Sequence, residues 1–148
     1  MAEIGFYHLT RTDILAALPA LLGRTLALDE RALVVCADAA TLNKLDAGLW
    51  SCLSPDWLPH GTAATPHPEW QPIFLTLDGT ANPAGAKFLF RLGGAAADPA
   101  GFTRMFDLFD GNDDEAVLAA RARWREAKAA GHTLTYWKQE ETGWVKAG

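Results

Sequence analysis

The side chains best placed to do chemistry in this chain are cations. Arg121, Arg123, Arg125 and Lys128 crowd one short stretch against Glu126 alone, inside a protein with 13 Lys+Arg and 18 Asp+Glu and a formal charge of −5. Arg121, Arg125 and Lys128 fall at i, i+4 and i+7, which on a helix is one face, so their charges can converge on a single anionic group. Val117, Ala120, Trp124 and Ala127 form the neighbouring stripe, expected to dock on a sheet. The pattern suits a compact basic site for a carboxylate-rich peptide. Arginine would supply two-point contacts, and Phe106, Phe109 or Trp124 an apolar pocket. The competing account is that cations near a helix C-terminus complement its dipole, worth ~0.3–1 kcal/mol each.

A second group is apolar. Trp50, Leu53, Trp57 and Leu58, followed by Pro59, lie close together in a stretch that also holds Pro55, Pro66 and Pro68. Tryptophan concentrates at interaction hot spots because a large, stiff ring removes much area from water at low entropic cost. The other reading folds these residues back as a satellite core, and the exposure of Trp57 separates the two.

Other chemistries are poorly supported. The turn after the first apolar run reads HLTRTD, with neither GxGxxG nor GxxxxGK[ST], so no glycine-rich loop cradles a phosphate. Asp110, Asn112 and Asp114 imitate the start of a calcium loop, but Glu115 stands where glycine is needed and Arg121 where a bidentate glutamate should be. Neither Ser51 nor Ser54 sits in GxSxG, His8, His60, His67 and His132 are scattered, and Cys36 and Cys52 are no metal pair. No cofactor and no metal are expected. The alternative from another class is a small metal-dependent hydrolase or nucleotide-binding enzyme using Asp107, Asp110 and Asp113.

These residues need a scaffold. Residues 3–9, 31–36, 72–77, 86–92 and 102–109 read as strands, with helices after Thr12, over 39–50 behind Asp38, and over 113–130 up to Gly131. In the first helix Pro19 forces either a kink or a later start. Leu42, Leu45, Leu49 and Trp50 are expected on one face of the second. Residues 51–71 read as an irregular loop, and 132–148 as a tail that pairs at a sheet edge or lies over the surface. Alternating strands and helices predict an α/β fold, a single Rossmann-like domain over 1–148 with a mainly parallel sheet flanked by helices. The start lacks the pattern of a signal peptide and no run is long enough to span a membrane, so a cytoplasmic protein is expected. The acidic total disfavours direct contact with a phosphate backbone.

Taken in order, FYHL (6–9), LDAGLW (45–50), WLPHG (57–61), QPIFLT (71–76), FDLFDGND (106–113) and ARARWREAKAAGHTLTYW (120–137) resemble the chi subunit family of bacterial DNA polymerase III holoenzyme. The resemblance implies a non-catalytic subunit that joins psi and links the clamp-loader complex to single-stranded DNA-binding protein, touching DNA only indirectly. In that family the acidic C-terminal tail of the single-stranded DNA-binding protein, ending in Pro-Phe, docks on the last helix. Carried over by position, Arg121, Arg125 and Lys128 would hold its carboxylates, and Phe109 and Trp124 would border the terminal ring. The psi contact would fall to Trp50, Leu53, Trp57, Leu58 and Pro59, a face that some members also use for a helicase.

Overall fold

The computed structural model describes residues 2–51, 58–80, 82–140 and 143–147. Among them the chain runs β1 (Glu3–Leu9), α1 (Ile14–Ala27), β2 (Ala32–Val35), α2 (Ala39–Ser51), β3 (Gly61–Thr62), β4 (Ile73–Thr76), β5 (Phe88–Leu92), β6 (Arg104–Asp110), α3 (Asp114–Ala129), β7 (Thr133–Glu140) and β8 (Gly143–Lys146). The strands form one sheet in the order β3-β4-β2-β5-β6-β1-β7-β8. Every pairing is parallel except β7 with β8. The expected α/β architecture with a mainly parallel, Rossmann-like sheet is therefore present.

Strand alternation sends successive residues to opposite faces, and each face has its own core. On one, Leu18, Leu21 and Leu22 of α1 and Leu45 and Leu49 of α2 pack over Val34, Leu75, Phe90 and Leu108. On the other, Val117, Ala120 and Trp124 of α3 cover Ile4, Phe6, Leu33 and Phe109. Each fully buried leucine stabilises the fold by about 1.5–3 kcal/mol relative to exposure. The parallel strands β2, β4 and β5 are buried along their whole length, which is why they read as unbroken apolar runs.

Several local expectations need correction. Asp13, not Thr12, caps α1, its carboxylate accepting from the Ala16 amide at 2.8 Å. Thr12 instead meets Gln139, whose side-chain oxygen accepts from the amides of Arg11 and Thr12 and whose side-chain amide donates to the Thr12 hydroxyl. Pro19 does not delay the helix, which starts at Ile14 and carries Pro19 inside it. Asp38 does receive the Thr41 amide at 2.7 Å, starting α2 as expected. Trp50 leaves the Leu45–Leu49 face and is 62 % exposed, because its position rotates it off the buried stripe. The segment 51–71 is not wholly irregular: its described residues include β3, paired with β4, and a 3-10 turn at Pro68–Trp70. The tail becomes β7 and β8, adding an edge to the sheet beside β1. No helix among the described residues is long and apolar enough to cross a membrane.

Candidate functional site: the basic face of the last helix

α3 starts where Asp113 turns its carboxylate onto the Glu115 amide at 3.0 Å, with Asp114 and Glu115 in the first turn to meet the positive end of the dipole. Gly131, at φ 87°, follows its end. Ala120 is buried, and Val117, Trp124 and Ala127 are half-buried against the sheet, as their spacing predicts. That fixes the rotation of the helix. Arg121, Arg125 and Lys128 are left on the solvent side, and no hydrogen bond or ion pair ties their side chains to any described residue.

Arg123 has a different fate. It turns inward and grips Asp107 of β6 at two points, Nε to Oδ2 at 2.7 Å and Nη2 to Oδ1 at 2.9 Å. Arg91 of β5 joins from the other side, Nε at 3.0 Å and Nη2 at 2.7 Å from the same Oδ2. Asp107 is fully buried between them, so two guanidiniums neutralise one carboxylate and a net positive charge lies under the helix. The free cations of α3 that face solvent are therefore Arg121, Arg125 and Lys128, with Arg123 removed from the count.

The apolar flank of this face is an aromatic cluster. Trp124 meets Phe6 edge-on at 5.3 Å and Tyr136 at 5.9 Å, and Phe109 stands 5.2 Å from the His8 ring. Trp124 is accessible; Phe109 is 1 % exposed and forms the floor beneath it. Phe106 is not part of the site. Three residues from Phe109 on the same strand, it faces the opposite side of the sheet and stacks on Phe90 at 4.4 Å.

His8 and Tyr136, which sequence reasoning passed over, stand beside this cluster. The Tyr136 hydroxyl and His8 Nδ1 are 2.5 Å apart, and His8 Nε2 faces the Gly111 carbonyl at 3.3 Å. Burial lowers the His8 pKa below the ordinary value of 6.5, the Gly111 carbonyl opposes the shift, and the charges of Lys138 and Arg121 add to it. Burial raises the Tyr136 hydroxyl, with Arg121 pulling the other way. Alternating strand residues carry these two rings to one face, the signal by which they could have been grouped.

The three carboxylates of the enzyme alternative do not come together as a metal set. Asp107 is enclosed by guanidiniums, Asp110 accepts from the Asn112 amide at 2.9 Å, and Asp113 caps α3. No metal-binding group of three His, Cys, Asp or Glu occurs among the described residues. Cys36 is buried and its thiol is pushed up to about 12 by burial and by Asp38, the opposite of an activated nucleophile.

At the far edge of the molecule Trp50 lies against His60, ring centroids 4.4 Å apart. His60 is buried, with Nδ1 2.8 Å from the Leu58 carbonyl and Nε2 2.8 Å from the Asp46 carboxylate, which pins the returning chain to α2. Leu58 is 2 % exposed and belongs to the core, and Pro59 is half-buried. Leu53 and Trp57 lie outside the described residues.

The family model described as DNA polymerase III chi subunit, HolC, matches residues 1–135. No curated protein matches the chain.

Proposed function

The chain belongs to the DNA polymerase III chi subunit family, and from that premise we propose that it is a non-catalytic subunit connecting the clamp-loader complex, through psi, to the acidic C-terminal tail of single-stranded DNA-binding protein. The observation that carries this reading is the division of labour on α3. Arg123 serves the interior, whereas Arg121, Arg125 and Lys128 stay exposed with no internal anion, beside the accessible edge of Trp124. A helix that needed cations only to balance its dipole would not require three of them on one solvent face next to an aromatic ring.

In this reading the tail carboxylates pair with Arg121, Arg125 and Lys128, and the terminal phenylalanine packs on Trp124 over the Phe109 floor. The acidic chain reaches DNA through a protein tail rather than through phosphates, consistent with its net charge of −5. On the opposite edge, exposed Trp50 with Pro59 belongs to the psi face, together with Leu53 and Trp57. Leu58 supports that face from within the core. The same face is where a helicase would compete.

The test is calorimetric titration with an acidic peptide ending in Asp-Phe-Pro-Phe at low and high salt, beside a peptide lacking the last Phe. Binding that weakens with salt and requires the terminal ring supports the proposal. Absence of binding to the intact peptide overturns it and returns the basic face to a dipole role.

A further inference from the structure

The other face of the sheet carries a cavity that this function does not use. About 480 Å³ opens between the end of α1 and the β7–β8 hairpin, walled by Tyr7, Phe106, Trp137 and Trp144 and flanked by Arg24 and Arg104. Tyr7 is the centre of the wall. Its ring stacks with Phe106 at 5.7 Å and Trp137 at 6.3 Å and receives the edge of Trp144 at 5.0 Å. Trp137 and Trp144 lie beyond the segment matched to the family.

The cations at the rim of this cavity face solvent, Arg24 being exposed and the Arg104 side chain 40 % exposed. Tyr7 is only 7 % exposed, yet its hydroxyl makes no hydrogen bond to any described residue. The Arg24 guanidinium has no hydrogen bond or ion pair to a described residue either. Arg104 lies over the Phe106 ring at 4.9 Å and touches Glu3 only at 4.0 Å, from a glutamate side chain that is 70 % exposed. Both guanidiniums are near enough to lower the Tyr7 ionisation that burial raises. Among the described residues no carboxylate lines the cavity.

The usual ligand position of a doubly wound sheet is elsewhere, at the C-terminal ends of the strands. Here the ends of β1 and β6 border an opening of about 450 Å³, but Gln139 of β7 already takes the Arg11 and Thr12 amides there, and the carboxylates of Asp13 and Asp110 in its lining disfavour an anion. The aromatic cavity with its two cations lies instead at the entry ends of β5 and β6, where Phe88 and Arg104 begin their strands.

We propose that the cavity between α1 and the β7–β8 hairpin binds a small aromatic anion, its ring against Trp137 and Trp144 and its charge between Arg24 and Arg104 with the Tyr7 hydroxyl donating. A neutral ring would make no use of the two guanidiniums at the rim, and a lone inorganic anion would gain nothing from the aromatic walls. The volume accommodates one or two fused rings with their charged group.

The probes are indole-3-acetate and thymidine 5′-monophosphate, each against its uncharged counterpart, indole-3-acetamide and thymidine, titrated calorimetrically into the full chain. At least one anion is expected to bind, with its neutral counterpart roughly tenfold weaker, the size of one charge-assisted contact. Binding of the first pair alone identifies a carboxylate ligand and of the second alone a nucleotide. Arg24→Gln and Arg104→Gln should each weaken the anion roughly tenfold and Trp144→Leu should do likewise, with melting curves confirming the fold. Arg121→Ala with Arg125→Ala should leave it unchanged, which separates this site from the basic face of α3. Failure of both anions to bind, equal binding of charged and neutral probes, or indifference to the arginine variants would overturn the proposal.

Discussion

Arg123 of α3 and Asp107 of β6 form a two-point ion pair at 2.7 and 2.9 Å across the seam between helix and sheet. With Arg91 on the other side, the carboxylate is the electrostatic centre of that layer. Asp107→Asn would leave two guanidiniums facing each other with little water to screen them. Breaking such a buried pair costs about 3–5 kcal/mol. A domain of this size loses roughly 2–4 °C of Tm per kcal/mol, so the melting temperature should fall by roughly 6–20 °C. Thermal unfolding followed by circular dichroism checks this, and an unchanged Tm would refute the structural role.

The solvent face of the same helix should behave in the opposite way. Arg121→Ala combined with Arg125→Ala removes no internal contact and should change stability by less than about 0.5 kcal/mol. Binding of the acidic peptide should weaken by about 1–2 kcal/mol, on the order of tenfold, since exposed charge pairs contribute up to about 1 kcal/mol each. Retained affinity in the double variant would place the tail elsewhere.

Acid should weaken the fold through His8. Burial lowers its pKa below 6.5 in the native protein, so the unfolded chain binds the proton first. Its contribution is complete above the unfolded value and is lost as pH falls from there through the lowered folded value. Melting temperatures taken across this window should decline with acid, and His8→Phe should flatten that part of the curve. A variant with the same slope as the parent would assign the loss to other groups.

Gly111 has no room for a side chain. A Cβ there would collide with the His8 ring and stand 2.8 Å from the Leu9 carbonyl oxygen, and that backbone cannot yield because the Gly111 amide donates to the same carbonyl. Gly111→Ala is expected to destabilise by about 1–3 kcal/mol, the usual cost of overpacking. Denaturant titration gives the value, and a neutral result would show that His8 can move aside.

Residues whose role depends on a local period could be read from the chain. The Val117–Ala120–Trp124–Ala127 stripe and its exposed cationic neighbour follow from 3.6 residues per turn, and the buried strands from their unbroken apolar runs. What escaped reading was distant pairing. Arg123 looked like one more surface cation until β6 brought Asp107 beneath it, and Gln139 gave no hint that it would close the loop at Arg11 and Thr12. Phe106 was a legible error, since three steps along a strand reverse the face. β3, only Gly61–Thr62 long, exists because β4 offers it an edge, which no property of those residues announces.

The central place of β1 has a consequence for the order of assembly. The strand made first is flanked by β6 and β7, and the Ala2 amide reaches His132 across 130 residues. During synthesis β1 has neither neighbour until β6 is made and only one until β7 follows, and loop closure over such separations precedes any gain from pairing. Nascent chains ending at Gly101, before β6, should therefore be cut readily by protease within residues 3–9, whereas chains that extend through β7 resist. Early protection of β1 in the shorter chain would contradict this sequence of events. β1 thus acts as a late-closing latch, sheltered on both edges only once β7 has arrived.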